Sequence, residues 1–194
     1  TAPNDYCVGP ATATVKTLDT NAIAKAVVHD TWETGLSDST DAIVRVGDLV
    51  TYQLKLTLRE GHTQGVVVRD ALPAGLVFDS VVSINGDGTA PYSAAGPFSH
   101  ADIPATNVPA TGQDGTLTWT LGDIFNAVDN NAANDTFVIE YRARVVEDVL
   151  AHTAATALIN AATLSYTDAS ADPSRLTSSA QIDVHQPILD SLTK

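Results

Sequence analysis

The chain has 194 residues, enough for one large domain or two small ones, and its 44% hydrophobic content excludes wholesale disorder. Its 23 acids against 10 bases, a net charge of −13, argue against a nucleic-acid partner, which needs a basic footprint, and against an anionic membrane surface. One cysteine, Cys7, excludes an internal disulfide framework and a cysteine-built zinc site, and the absence of methionine predicts a processed product or a piece of a longer protein.

Taken in chain order, the pattern repeats every two residues almost throughout. Residues 1–20 read as an extended segment, polar and alternating over 8–18, either a donated strand or the end of a preceding unit. Strands are predicted at 21–28, 43–46 and 49–58. In the last of these Val50, Tyr52, Leu54, Leu56 and Leu58 form one continuous apolar face, as a half-buried antiparallel strand requires. Arg59-Glu60-Gly61-His62 is a turn before a strand at 65–70. Leu72-Pro73-Ala74-Gly75 separates that strand from one at 76–84, and Asn85-Gly86-Asp87-Gly88 is a second Gly-centred turn.

Residues 85–115, rich in Pro, Gly, Ala and Thr, read as a long insertion without regular structure, a place where binding surfaces often lie. Strands follow at 116–121, 136–146, 157–167 and 177–184, with a short helix or turn expected at 148–158. Residues 187–194 form a final alternating segment after Pro187, read as a linker, the start of a next unit or a donated strand. Its Asp190-Ser191-Leu192-Thr193-Lys194 echoes Asn21-Ala22-Ile23-Ala24-Lys25, as a tandem array would. Many strands with regular turns and few helices predict an all-β antiparallel sandwich with a long loop insertion, its domain spanning 21–186. No apolar run approaches the ~20 residues that span a bilayer.

The central motifs carry a family resemblance. Val46-Gly47-Asp48-Leu49-Val50-Thr51-Tyr52 precedes Val67-Val68-Arg69-Asp70-Ala71-Leu72-Pro73-Ala74-Gly75-Leu76. Farther on come Thr118-Trp119-Thr120-Leu121-Gly122-Asp123, Val138-Ile139-Glu140-Tyr141-Arg142-Ala143-Arg144-Val145 and Leu158-Ile159-Asn160-Ala161-Ala162-Thr163-Leu164-Ser165-Tyr166. In this order they resemble the repeat domain of large bacterial surface proteins and the related isopeptide-forming domains of fimbrial proteins. The resemblance implies an immunoglobulin-like sandwich serving as a stalk, fibre or adhesin module outside the cell. Its partners would be copies of itself or neighbouring repeats, and an environmental surface ligand held by the 85–115 loop is the alternative role. No enzyme activity in the usual sense is implied.

Strand faces pose a chemical question of their own. Lys25 shares its face with Ile23 and Val27, Asp70 with Val66 and Val68, and Asn160 with Leu158, Leu164 and Tyr166. Polar groups on apolar stripes must find partners. In a surface immunoglobulin-like domain these three are the ingredients of an intramolecular isopeptide bond, Lys25 to Asn160 with Asp70 as the acid, which needs no cofactor. The same residues have plain uses: Asp70 accepting backbone N–H groups before the turn, Asn160 capping a strand end, Lys25 reaching solvent. Lys16 is the substitute nucleophile and Glu140 the substitute acid, although Glu140 lies opposite Phe137, Ile139 and Tyr141.

Other signals are thinner. The segment 123–135 is rich in oxygen ligands, and Asp123, Asp129, Asn131 and Asp135 are its calcium candidates, but it lacks EF-hand spacing and suits a solvated turn. The five histidines are scattered, and no hydrolase elbow or phosphate loop is present. Trp32, Trp119 and Tyr92 are candidates for stacking on sugars, with core packing expected for Trp119. Cys7 is a candidate for pairing with another chain.

Overall fold

The computed structural model describes residues 21–30, 42–147, 155–167 and 173–185. Within them the alternating stretches form strands β1 (Ala22–Asp30), β2 (Ala42–Val44), β3 (Leu49–Thr57), β4 (Gly61–Ala71), β5 (Leu76–Ile84), β6 (Phe98–His100), β7 (Thr116–Asn126), β8 (Thr136–Val145), β9 (Ala155–Thr167) and β10 (Pro173–His185). One sheet has the order β1-β3-β8-β5, and the other β2-β10-β9-β4-β7-β6. Every pairing is antiparallel except that of β2 with β10. The result is an immunoglobulin-like β-sandwich.

The inward residues of the two sheets make one core. Tyr52, Leu54 and Leu56 of β3 and Phe137, Ile139 and Tyr141 of β8 line the first sheet; Val66 and Val68 of β4, Leu117 and Trp119 of β7 and Leu164 of β9 line the second, all fully buried. Each such aliphatic or aromatic side chain is worth about 1.5–3 kcal/mol on burial. The 4-stranded sheet has β1 at one edge, paired with β3. The far side of β1 lies against β10, where the Lys25 backbone N–H donates to Ser178 Oγ at 3.0 Å. A backbone donor that an edge strand would otherwise leave open is thereby satisfied.

Several predicted boundaries move, for physical reasons. Strands β4 and β7 run farther than 65–70 and 116–121 because their alternation slips in mid-strand. In β7 burial alternates as far as Leu121, then Gly122 and Asp123 both face outward before Ile124 turns in. Gln64 and Gly65 do the same in β4, where the register shifts. The two slips face each other, and Gly65 N–H donates to Asp123 Oδ1 at 2.8 Å across them. A bulge resets the phase, so a strict two-residue period ends there while the strand continues.

The segment 85–115 is the mostly irregular insertion the sequence predicts, and it is packed onto the core. It contributes β6, a 3₁₀ turn at Ala105–Asn107 and a Tyr92–Ile103 bridge with hydrogen bonds of 2.9 and 3.0 Å in each direction. Tyr92, Phe98 and Ile103 are buried, and Phe98 meets Phe137 edge-on with centroids 5.4 Å apart. These anchors stand too far apart in sequence to make a readable period. The helix expected at 148–158 is also corrected where it is described: 155–158 belongs to β9, whose Leu158, Asn160, Ala162 and Leu164 point inward at every second position. Residues 148–154 lie outside the described residues.

Turn chemistry follows the sequence closely. Asn85 and Gly86 both have positive φ, 48° and 87°, between Ile84 and Asp87, which exchange both backbone hydrogen bonds. That is the turn Asn-Gly favours in a tight hairpin. Gly75 has φ +97°, and a Cβ there would stand 3.3 Å from Leu158 Cδ1, so both backbone and space call for glycine.

Candidate functional site

The three polar residues singled out by strand phase enter the core. Lys25 comes from β1 of the first sheet, Asp70 from β4 and Asn160 from β9 of the second; the side chains of Lys25 and Asp70 are 0% exposed, as is Asn160. Alternation places them there: each occupies an inward position of a strand whose neighbouring inward positions are apolar.

They converge on a residue the sequence reading did not single out. The Tyr141 hydroxyl accepts from Lys25 Nζ at 3.0 Å and from Asn160 Nδ2 at 2.9 Å, and donates to Asp70 Oδ2 at 2.6 Å. Lys25 Nζ also donates to Asp70 Oδ2 directly. The signal for Tyr141 was available: it follows Phe137 and Ile139 in the inward phase of β8, so its polar tip lies on an apolar stripe just as Lys25 does.

Aromatic rings enclose this meeting point. Lys25 Nζ lies 4.6 Å from the Tyr52 ring centroid and 5.5 Å from that of Tyr141. Tyr52 and Tyr141 are cross-strand partners, stacked at 5.4 Å; Trp119 approaches Tyr141 at 5.1 Å and Phe78 at 6.0 Å. Such pairs add about 0.5–1.5 kcal/mol each beyond burial. They also keep water from the cluster, which sharpens its electrostatics.

Burial pushes the charged pair toward its neutral form. It pulls the Lys25 ammonium down from 10.5 to about 8, against the opposing pull of Asp70. Burial likewise raises the Asp70 carboxyl, with Lys25 and Tyr141 resisting. Desolvation and the neighbouring carboxylate raise Tyr141 well above its usual value, so its hydroxyl stays protonated. Two acceptors, Asp70 Oδ1 and Asn160 Oδ1, find no hydrogen-bond donor among the described residues. A proton on the Asp70 carboxyl turns it from pure acceptor into donor. The arrangement therefore combines an amine inclined to neutrality, a carboxyl inclined to hold a proton and a carboxamide, all in a dry site.

The remaining candidates fall elsewhere. Glu140 lies on the outer face of β8 and accepts from Gln53 Nε2 at 2.6 Å, away from the cluster. Lys16, Cys7 and Trp32 lie outside the described residues. Asp123 stands in β7, not in a loop, and caps Gly65 N–H; Asp129 accepts from Asn131 N and Asn134 Nδ2 at 2.9 and 2.8 Å; Asp135 is buried and accepts from Asn126 Nδ2 at 2.7 Å. The Asn131 carboxamide caps Ala133 N–H at 3.3 Å. Among the described residues no group of three or more His, Cys, Asp or Glu side chains is placed to hold a metal ion. Tyr92 and Trp119 are core residues, not exposed stacking platforms.

No family model matches the chain, and no curated protein matches it. Solved structures do. The fold resembles that of BcpA, the major pilin subunit of Bacillus cereus, with a TM-score of 0.51 at 16% identity over 88% of this chain and 42% of the pilin. A variant of the same pilin gives 0.52 at 15% identity, again over 88% of this chain and 42% of that one. The major pilin SpaD from Corynebacterium diphtheriae follows at 0.49 and 13% identity, over 85% of this chain and 34% of the pilin. The chain thus spans about two fifths of the length of the BcpA subunit it resembles. At these identities the likeness is one of fold, the immunoglobulin-like sandwich that the sequence motifs implied.

Proposed function

We propose that this chain is a structural module of an extracellular surface fibre, pilus or adhesin stalk, and that its two sheets are joined by an isopeptide bond between Lys25 and Asn160, formed without a cofactor and promoted by Asp70. The observation that carries this reading is the burial of Lys25, Asp70 and Asn160 around one hydroxyl at the centre of the sandwich. A buried ion pair is a poor route to stability, since apolar residues of similar volume usually serve as well. A buried amine beside a carboxyl and a carboxamide is a route to amide chemistry.

In the reaction the neutral Lys25 amine attacks Asn160 Cγ while Asp70 gives its proton to Oδ1. The Cγ–Nδ2 bond breaks, the carbonyl re-forms, ammonia leaves and the Oδ1 proton returns to Asp70. The protein is its own substrate and reacts once. A bond from β1 to β9 spans the two sheets, so tension applied along the chain passes through it without pulling the strands apart. That property suits a module loaded end to end, with neighbouring copies of the same domain as its partners and, by the alternating character of 8–18 and 187–194, strand pairing as the means of joining them. The inward turn of Tyr92, Phe98 and Ile103 leaves the 85–115 segment without an observation favouring it as a ligand loop.

Intact mass spectrometry of the denatured protein tests the bond. The expected mass is that of the sequence less one ammonia, with K25A and N160A restoring the full mass. A wild-type chain of full mass overturns the proposal.

A further inference from the structure

The Tyr141 hydroxyl touches both nitrogens that the proposed reaction would exchange: the incoming Lys25 Nζ at 3.0 Å and the departing Asn160 Nδ2 at 2.9 Å. It also donates to Asp70 Oδ2 at 2.6 Å. A chain of three hydrogen bonds therefore links nucleophile, acid and leaving group through one oxygen, inside the aromatic enclosure. The Tyr52 ring packs as close to Lys25, yet its hydroxyl makes none of these three bonds.

Amide exchange has a proton problem that Asp70 alone does not solve. After attack, Nζ carries one proton too many and Nδ2 one too few to leave as ammonia. Because Nζ–H points to the Tyr141 oxygen and Tyr141 O–H points to Asp70, the first transfer follows bonds already in place. We infer that Tyr141 is a catalytic proton relay for isopeptide formation, an inference that rests on the Lys25–Asn160 bond proposed above.

The balance closes. The Nζ lone pair forms the new bond to Cγ as Oδ1 takes the Asp70 proton. Nζ then passes a proton to the Tyr141 oxygen while Tyr141 passes its own to Asp70 Oδ2. The reverse hand-off runs from Asp70 through Tyr141 to Nδ2. Cγ–Nδ2 breaks with its electron pair leaving on ammonia, the Oδ1 proton returns to Asp70, and both Asp70 and Tyr141 end as they began. Nothing is oxidised or reduced, and no co-reactant is needed.

The test is a time course on newly made full-length chain, synthesised in a cell-free system, quenched in acid at intervals and read by intact mass. The wild type and Y52F are expected to lose ammonia on the same course. Y141F, shown to be folded by circular dichroism, is expected to lose it at least about 100-fold more slowly, the scale of a lost general acid–base group. A folded Y141F that keeps pace with the wild type overturns the relay, and so does a Y52F as slow as Y141F. A wild-type chain that never loses ammonia overturns the bond itself, and the relay with it. Where Y141F does not fold, 3-fluorotyrosine placed at position 141 keeps the ring and hydroxyl and changes only the acidity of the phenol. An altered rate then supports the relay, and an unaltered one overturns it.

Discussion

Lys25 and Asp70 come from opposite sheets and meet between them, the ammonium of the edge strand β1 donating to the carboxylate of β4. Neither side chain has any exposure to solvent. Their cluster with Tyr141 and Asn160 is thus a buried polar joint across the mainly apolar interface between the sheets, and most consequences of the structure follow from it.

The first concerns the proposed covalent bond. A bond from residue 25 to residue 160 closes a loop of over a hundred residues, and loop entropy alone makes that worth about 4–5 kcal/mol. N160A is expected to lose it. At about 2–4 °C per kcal/mol for a chain of this size, the melting midpoint should fall by about 8–20 °C. Calorimetry of wild type and N160A, alongside their masses, checks this; a full-mass N160A that melts with the wild type contradicts it.

How much of this was legible depends on where the period-two pattern holds. Lys25, Asp70 and Asn160 were readable because each interrupts an apolar stripe within a stretch of steady alternation, Asp70 in the part of β4 after its slip at Gln64 and Gly65. Tyr141 obeyed the same rule and was missed because tyrosine passes as a hydrophobic residue in such a stripe. The continuation of β7 through Asp123 was not readable, since the bulge at Gly122 reverses the phase. Nor were the anchors of the 85–115 segment, because Tyr92, Phe98 and Ile103 reach the core through turns and not through a periodic strand. The pairing of sheets, which puts Lys25 opposite Asp70, is a long-range outcome that no local pattern contains.

The acid can be separated from the bond. D70N keeps the shape of the side chain but takes away the carboxyl, so the chain should retain its full mass. It also leaves the Lys25 ammonium buried without a carboxylate, and breaking such a pair from one side costs about 3–5 kcal/mol. The comparison belongs among bond-free chains. Relative to N160A, D70N should be the less stable in urea, and adding K25M to D70N should recover part of the loss because the orphaned charge is gone. A double variant no more stable than D70N would show that the pair is uncoupled.

Titration gives a third check. In N160A the Lys25 amine is free, with a folded value of about 8 against 10.5 in the unfolded chain. Between these values the unfolded chain holds more protons, so stability should rise with pH from about 8 to 10.5. Asp70 acts in the opposite sense. Its folded value is raised above 3.8, so its contribution is fully present below 3.8 and is lost as pH rises through the folded value. With the proposed bond formed, the wild-type Lys25 would be an amide nitrogen that does not titrate, so its alkaline rise should be absent. Urea midpoints of both chains from pH 8 to 10 decide it, and parallel curves would contradict it.

The last prediction concerns the end of the sandwich away from this cluster in sequence. Asn126, at the close of β7, is buried and donates through Nδ2 to the Leu58 carbonyl at 2.8 Å and to Asp135 Oδ1 at 2.7 Å. The Asp135 carbonyl in turn accepts Leu58 N–H at 3.0 Å, so one carboxamide ties the exits of β3 and β7 to the entry of β8. N126A removes both donated bonds and leaves a buried carbonyl and carboxylate without that donor, a loss of about 2–4 kcal/mol. N126D should be worse at neutral pH, because it sets a second carboxylate beside Asp135. Urea melts of the two variants measure the order. Amide exchange should locate the loss, with the Leu58 N–H losing protection in N126A while amides of β1 around Lys25 keep theirs; uniform loss of protection would mean that Asn126 supports the whole sandwich and not this end of it.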